Sequence, residues 1–268
     1  MNRATGAPVE YRAKTFVLAS GYAWSPHLLL LSDAANSSGL VGRYMAGHAF
    51  IGAQVELDAR LYPGMNEQHS LISRQFFRCR SDRPYVRHDL RVWENAGGRG
   101  PQLRDADGKL LLGDALIADW RKRTTRGTAR VRGYFDVHPD RDSRLTLDAA
   151  SKNRWGDALP VIQHRIDAAS QARQTATREH LQGVFAQLAK AGDGRMGTVG
   201  GLNYQDHPAG GCRMGADPAT SVVGRFRRTH DHENLFVAGA PTLPTGGCTN
   251  GTLTFVALAL RSAGEIAK

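Results

Sequence analysis

Cysteine and long apolar runs are both scarce in this sequence. Its 268 residues include three widely spaced cysteines, Cys79, Cys212 and Cys248, a spacing that indicates neither a disulfide framework nor a zinc knuckle. We therefore expect free thiols and no metal site. No apolar run reaches the roughly 20 residues of a membrane-spanning helix, and the first residues lack a signal-peptide cleavage region. The sequence predicts no transmembrane segment.

Acidic residues are outnumbered by basic ones, 25 against 35, which gives a formal net charge of +10. The densest basic segment, RKRTTRGTARVR at residues 121–132, is accompanied by no nucleic-acid fold signature. This pattern favours a solvated face or a dock for a protein partner, and we predict no nucleic-acid partner. The alternative, nucleic-acid binding, rests on charge alone and would show a steep dependence on salt.

The apolar patterning alternates between strand-like and helix-like segments. Strands are predicted at 11–19, 50–64, 129–137, 143–149, 159–167 and 234–240. Helices are predicted at 25–34, with Pro26 in the first turn, at 114–124 and at 168–191. A last helix follows Gly251, and its predicted buried face comprises Leu253, Val256, Ala257 and Leu260. Residues 63–114 give the weakest signal.

This order predicts an α/β chain with an α+β insertion. Parallel pairing is expected near both ends, so that the first and last segments share a domain, with a mainly antiparallel part between them.

One motif is rejected on physical grounds. GDGRMG at residues 192–197 satisfies the dinucleotide pattern G-x-G-x-x-G, and Asp217 lies at a distance suited to a ribose contact. That fingerprint requires a strand before it and a helix directly after it. Here a helix is predicted before it and no helical periodicity follows, so we interpret the motif as a helix C-terminus with a glycine exit.

Two glycine-rich segments carry the polar side chains most suited to chemistry: HPAGGCRMG at 207–215 and PTGGCTNGTLT at 244–254. Glycine allows a backbone to approach a flat ligand closely. Considered singly, His207 fits a structural histidine, and Asn250 fits a helix cap or a turn residue.

Together with NLFVAGA at 234–240, these segments resemble the C-terminal end of the glucose–methanol–choline (GMC) FAD-dependent oxidoreductases. Upstream, AKTFVLASG…SPHLLLLS and GLVGRYMAGH resemble the family segments VVLAAGAIETPRLLLLS and VGRNLMDH. The resemblance is nearest to bacterial gluconate, glucose and fructose dehydrogenase large subunits. It covers residues 11–50 and about 140–268.

The resemblance implies FAD-dependent oxidation of a CH–OH group of an alcohol, sugar or polyol. Removal of the hydroxyl proton needs a base, for which an imidazole is suited near neutral pH, and an amide can hold the same oxygen. These roles fall on His207 as catalytic base and Asn250 as orienting group. The implied cofactor contacts are Gly239, Ala240, Asn250, Gly251, Thr252 and Leu253, where backbone N–H groups at the start of the last helix would face the flavin.

The family's opening strand–GxGxxG–helix does not occur in this sequence, so we expect most of the FAD site to lie outside the chain. The predicted domains are a partial FAD domain at 1–48, a substrate-binding domain at 49–195 and a return to the FAD domain at 196–268. A small subunit and a cytochrome or quinone acceptor are implied partners. The implied location is periplasmic if the chain follows the sugar dehydrogenases and cytoplasmic otherwise. Exposed apolar surface is expected where the absent part of the FAD domain would pack. The alternative function is that of a non-catalytic binding protein with a GMC-derived fold.

Overall fold

A computed structural model describes residues 5–57, 70–78, 86–94, 101–125, 127–191, 195–196 and 203–268. The elements in this part of the chain are, in order, β1 (Phe16–Leu18), α1 (Gly21–Leu31), β2 (Ala46–Leu57), β3 (Ser70–Ser73), β4 (His88–Glu94), α2 (Gly113–Thr125), β5 (Gly127–Asp136), β6 (Arg144–Lys152), β7 (Ala158–Gln163), α3 (Ala168–Ala191), β8 (Arg195–Met196), β9 (Asn203–Ala209), β10 (Leu235–Val237), a 3-10 turn (Ala240–Thr242) and α4 (Thr252–Ile266).

The two ends of the chain meet, and the parallel pairing expected near both ends is present. β1 pairs in parallel with β10, with Phe16 opposite Leu235 and Leu18 opposite Val237. A small core under this pair includes Leu29 of α1, Val223 and Val237. The predicted strand over 11–19 is nevertheless shorter and not buried, because Phe16 and Val17 are 40% and 50% exposed.

The central part is an antiparallel sheet with the order β3-β4-β5-β2-β8, and β9 also pairs with β2. One face of this sheet packs against α3 through an apolar cluster that includes Ile51, Val131, Leu181 and Phe185. Gly133 marks the closest approach, since a Cβ there would lie 2.5 Å from the Leu181 side chain. The α/β prediction with an antiparallel insertion is confirmed.

The hairpin of β6 and β7 packs against α1 and the loop that follows it. The Gly42 carbonyl accepts from the Leu145 N–H of β6, the Gly42 N–H donates to the Gly211 carbonyl, and the His27 ring lies 2.7 Å from the Ala158 carbonyl. A Cβ at Gly42 would meet the Leu145 carbonyl at 2.6 Å, so this junction requires glycine.

Several sequence predictions are wrong in detail. α1 begins at Gly21, which places Pro26 inside the helix and not in its first turn. The strand predicted at 50–64 begins at Ala46 and is described only as far as Leu57. β3 and β4 lie in the stretch that gave the weakest signal, and β9 replaces a predicted glycine-rich loop.

The last helix is the largest correction. Its predicted buried face is exposed: Leu253 is 82%, Val256 51% and Leu260 70% exposed, and Ala257 is exposed as well. Within the described chain α4 is anchored instead by Ser262, which is buried beside Arg227. The exposed apolar surface that the sequence predicts is therefore present on α4.

The remaining motifs resolve as follows. The described part of GDGRMG, Arg195–Met196, is strand β8, and it comes after helix α3, so the strand–motif–helix order of a dinucleotide site is not met. The basic segment 121–132 divides between α2 and β5. Cys212 and Cys248 are buried free thiols, whereas Cys79 lies outside the described residues.

Two features are absent from the described part of the chain. No helix in the described ranges combines the length and hydropathy needed to cross a bilayer. No group of three or more His, Cys, Asp or Glu side chains there is arranged to hold a metal ion.

Candidate active site

The candidate site lies on the polar face of the antiparallel sheet. Side chains alternate between the two faces of a strand, and directly paired residues share a face. Because Ala49, Val131 and Phe135 face α3, their strand neighbours face away from it. The register places the following side chains on that second face: His48 and Phe50 from β2; Arg130, Arg132, Tyr134 and Asp136 from β5; Asp89, Arg91 and Trp93 from β4.

His207 reaches this face from β9. Two register irregularities, on either side of His48, interrupt the pairing of β9 with β2. His207 itself has φ of 49°, a left-handed conformation that is uncommon for residues other than glycine. Such irregularities redirect a side chain, and here they bring Nδ1 of His207 to 3.2 Å from Nδ1 of His48.

The contacts of His48 assign the tautomers that this histidine pair adopts when both rings are neutral. Its Nε2 lies 2.8 Å from the Gly246 carbonyl oxygen, which can only accept, so Nε2 carries a hydrogen. With both rings neutral, Nδ1 of His48 is an acceptor and Nδ1 of His207 must donate to it. Nε2 of His207 then carries the lone pair. A general base needs this tautomer.

Asn250 is held by an arginine on β4. Nη2 of Arg91 donates to Oδ1 of Asn250 at 2.9 Å. Because arginine can only donate, the amide oxygen of Asn250 must face Arg91. The NH₂ group of the same amide then points away from Arg91, where it can donate to another group. Asn250 is exposed, in keeping with a group that meets a ligand.

Asp89, two residues before Arg91 on β4, orients the guanidinium of that arginine. The Asp89 carboxylate is fully buried and accepts from Nε and Nη2 of Arg91 at 3.0 and 2.9 Å. Burial raises the pKa of Asp89, while the hydrogen bonds from Arg91 lower it. The guanidinium of Arg91 also lies over the Tyr134 ring, 4.6 Å from its centroid, which restricts its position further.

Tyr134 connects the two predicted catalytic residues. The centroid of its ring lies 6.0 Å from the centroid of the His207 ring. The guanidinium of Arg91, which donates to Asn250, lies over the face of the same tyrosine ring. His207 and Asn250 therefore border one region of the polar face, beside the start of α4. Their catalytic roles stay predictions.

The loop before α4 crosses this face and is tied down along its length. The Gly246 carbonyl accepts a hydrogen bond from the His48 ring, and the Gly247 N–H donates to Oδ1 of Asp136 at 3.1 Å. A Cβ at Gly246 would lie 2.9 Å from the Gly47 carbonyl, so this glycine serves the packing of loop on strand. Between these ties and Asn250, Cys248 is buried, and burial raises the pKa of its thiol to about 11. That thiol is not suited to act as a nucleophile.

Comparison with known proteins bears on this arrangement. Residues 139–259 match the family model described as GMC oxidoreductase. The fructose dehydrogenase large subunit of Gluconobacter japonicus is 32% identical over 263 residues, which cover 95% of this chain and 47% of that protein. The chain is similar to the GMC oxidoreductases.

Two further GMC-related comparisons agree. The 2-methyl-1,2-propanediol dehydrogenase of Mycolicibacterium austroafricanum is 28% identical over 98% of this chain and 50% of its own length. The crystal structure of pyridoxine 4-oxidase from Mesorbium loti matches the fold with a TM-score of 0.58 at 20% identity, over 94% of this chain and 51% of that one. The chain thus spans about half the length of the relatives that it matches.

GMC oxidoreductases are FAD-dependent, and the residues predicted to contact the cofactor fit such a group. Gly251 caps α4 without a side-chain hydrogen bond, so the first N–H groups of the helix, from Thr252 and Leu253, are not taken up by a cap. Gly239 has φ of 85°, and among the described residues a Cβ there would approach only Pro241, at 3.8 Å, which leaves room beside this glycine. The Ala240 carbonyl accepts from the Gly210 N–H, which ties this position to the segment after His207.

Sequence reasoning missed four residues of this candidate site: His48, Asp89, Arg91 and Tyr134. His48 ends the segment GLVGRYMAGH, whose resemblance to the family was noted, but no role followed from it. The alternation of HDLRVWE in β4 was a strand signal that the surrounding Arg- and Gly-rich sequence obscured. Arg132, which lies in the basic segment first interpreted as solvated, packs over the Tyr134 ring at 4.2 Å.

Proposed function

We propose that this chain supplies the base and the orienting amide for FAD-linked oxidation of a CH–OH group in an alcohol, sugar or polyol. The observation that carries the proposal is the chain of contacts from Gly246 through His48 to His207. It supports a tautomer in which Nε2 of His207 accepts the proton of a substrate hydroxyl. When bound, FAD supplies the hydride acceptor.

His207 and Asn250 have complementary parts in this proposal. Nε2 of His207 takes the proton of the reacting hydroxyl, and the NH₂ group of Asn250 donates to the oxygen of that hydroxyl. Arg91 keeps the amide in the donating orientation, because it occupies the amide oxygen. Gly239, Ala240, Asn250, Gly251, Thr252 and Leu253 are the residues of this chain that would hold the cofactor.

The relatives suggest the wider setting. One is named as the large subunit of a fructose dehydrogenase and another as a diol dehydrogenase, which favours a small polyhydroxylated substrate. We extend the proposal to a small subunit and a cytochrome or quinone acceptor, and to a periplasmic location if the chain follows the sugar dehydrogenases. The domain limits 1–48, 49–195 and 196–268 are part of the same proposal.

Stopped-flow reduction of the flavin tests the roles of the two residues in the protein that contains this chain, with fructose and a short diol as substrates. His207→Ala should slow reduction by about 10² to 10⁴, the usual contribution of a positioned base. Asn250→Ala should slow it about 10- to 100-fold, or about 1.4 to 2.7 kcal/mol. His164→Ala, a half-buried histidine next to β7, serves as the matched control and should reduce at the wild-type rate.

Thermal melts of the same variants separate catalysis from folding. Wild-type rates in both variants, with shifts in the melt alone, would show that His207 and Asn250 are structural. A protein containing this chain that retains no flavin after incubation with FAD and removal of the free cofactor by gel filtration would instead favour the non-catalytic binding protein.

A further inference from the structure

A cavity of about 550 Å³ opens beside the candidate active site, where α3 meets the ends of β4 and β5. This volume is in the range of small-molecule sites. Its walls come from separate parts of the chain, including Arg87 before β4, Asp136 at the end of β5, Arg173 of α3 and Thr245 of the loop before α4.

The walls are fixed to one another. The Val86 N–H donates to Oγ1 of the buried Thr177 at 2.9 Å, which joins the start of β4 to α3. Asp136 accepts from Arg87 at 2.5 Å and from the Gly247 N–H at 3.1 Å, which joins β5 to both the arginine and the loop. The cavity is therefore built by packed elements and ties that do not depend on a ligand.

The lining carries an excess of positive charge. Arg78, Arg87 and Arg173 line the cavity together with His138, and Asp136 is the one carboxylate among the described lining residues. That carboxylate is already engaged by Arg87 and Gly247. Within the described chain, no ion pair joins Arg78 or Arg173 to a carboxylate, and both side chains are exposed.

Two exposed arginines that line one cavity, with no acidic partner among the described residues, are suited to one ligand chemistry. The planar guanidinium fork donates two parallel hydrogen bonds to a carboxylate or phosphate group. We propose that this cavity binds a small ligand carrying such an oxyanion, through Arg78 and Arg173, with Thr245 as a further polar contact.

The position of the cavity gives such binding a structural consequence. Asp136 pairs in register with His48, the contact of His207, and Thr245 directly precedes the glycines that bond His48 and Asp136. A ligand that contacts Thr245 would restrict the motion of the loop that crosses the candidate active site. This inference does not depend on the proposed oxidation, since it concerns binding alone.

Isothermal titration with inorganic phosphate and, separately, with succinate tests the proposal at constant ionic strength, set with sodium chloride. Saturable binding of at least one anion is expected, and the anion that binds identifies a phosphate or a carboxylate source. Arg78→Gln and Arg173→Gln should each weaken that binding at least tenfold. Both side chains are exposed, so the variants should fold.

Arg178→Gln is the matched control, because Arg178 is another exposed arginine of α3 and its removal changes the net charge equally. It should leave the affinity unchanged. The proposal is overturned if neither anion binds saturably, or if Arg178→Gln weakens binding as much as Arg173→Gln. Hydrogen exchange at Gly246 and Gly247 gives a second readout, and it should slow when the anion is bound.

Discussion

Removing the hydroxyl of Ser262 is expected to destabilise the chain more than removing the entire guanidinium of Arg227. Arg227 is 1% exposed, and burial lowers its pKa. Its Nε and Nη2 donate to Oγ of Ser262 at 2.9 and 2.8 Å, and Nη2 also donates to the Leu258 carbonyl. Nη1 is buried and has no hydrogen-bond partner in the described chain. The cation is therefore only partly satisfied even in the native state.

The two substitutions leave different groups behind. Ser262→Ala keeps a buried cation and removes the acceptor of two of its hydrogen bonds, which should cost about 2 to 3 kcal/mol. Arg227→Met removes the buried charge together with its bonds, and Oγ of Ser262 keeps the Phe226 carbonyl as a partner at 2.7 Å. The loss of the hydrogen bonds of Arg227 is largely offset because no charge has to be desolvated on folding. We therefore expect Arg227→Met to lower the free energy of unfolding by about 1 kcal/mol. Both residues at position 227 carry a Cβ, so the strain of its φ of 62° is unchanged.

Urea unfolding monitored by circular dichroism measures the free energy of unfolding of each variant. The variant with both substitutions completes a double-mutant cycle. The double variant should be about as stable as Arg227→Met alone, since no cation remains for Ser262 to satisfy. Thr254→Ala, at an exposed position on the same helix, is the control and should change stability by less than about 0.5 kcal/mol. A larger loss for Arg227→Met than for Ser262→Ala would refute this reasoning.

Three further outcomes are expected. Stability should fall by at most about 3 kcal/mol between pH 6.5 and 4, because burial lowers the pKa of His88 to about 4 and only the unfolded chain binds the proton in that window. His88→Phe should flatten that part of the pH curve in urea melts, and an unchanged slope would exclude His88 as its source. Leu253→Gln with Leu260→Gln should reduce self-association in sedimentation without lowering Tm, since these side chains are 82% and 70% exposed, whereas a marked fall in Tm would show that they are buried. His48→Leu should slow flavin reduction about tenfold, because His207 loses the acceptor that sets its tautomer. His48→Asn, which can still accept that hydrogen bond, should restore most of the rate; a variant as slow as His48→Leu would point to packing alone.

The sequence was sufficient for elements whose pattern is local. α3 spans residues 168–191 as predicted, since a long run of helical periodicity specifies its own backbone hydrogen bonds. β6 and β7 were likewise predictable from alternation, apart from the earlier end of β7 at Gln163. The parallel contact of β1 with β10 followed from the order of the elements together with the resemblance of both ends to one family.

The site itself was only half predictable. His207 and Asn250 could be singled out as candidates because each lies within a glycine-rich segment of recognisable order. His48 and Arg91, which hold them, lie 159 residues away along the chain in each case. Their roles depend on the register of three strands, which places alternate side chains on one face, and no local pattern contains that register.

Burial was also decided by tertiary structure and not by sequence. The apolar stripe of α4 correctly predicted an amphipathic helix, but a stripe states only which face avoids water and not what covers it. In the described chain nothing packs over Leu253 and Leu260, and the helix is anchored through Ser262 to Arg227. Amino-acid pattern therefore determined the helix and its faces, whereas the contacts available in three dimensions determined which face is buried.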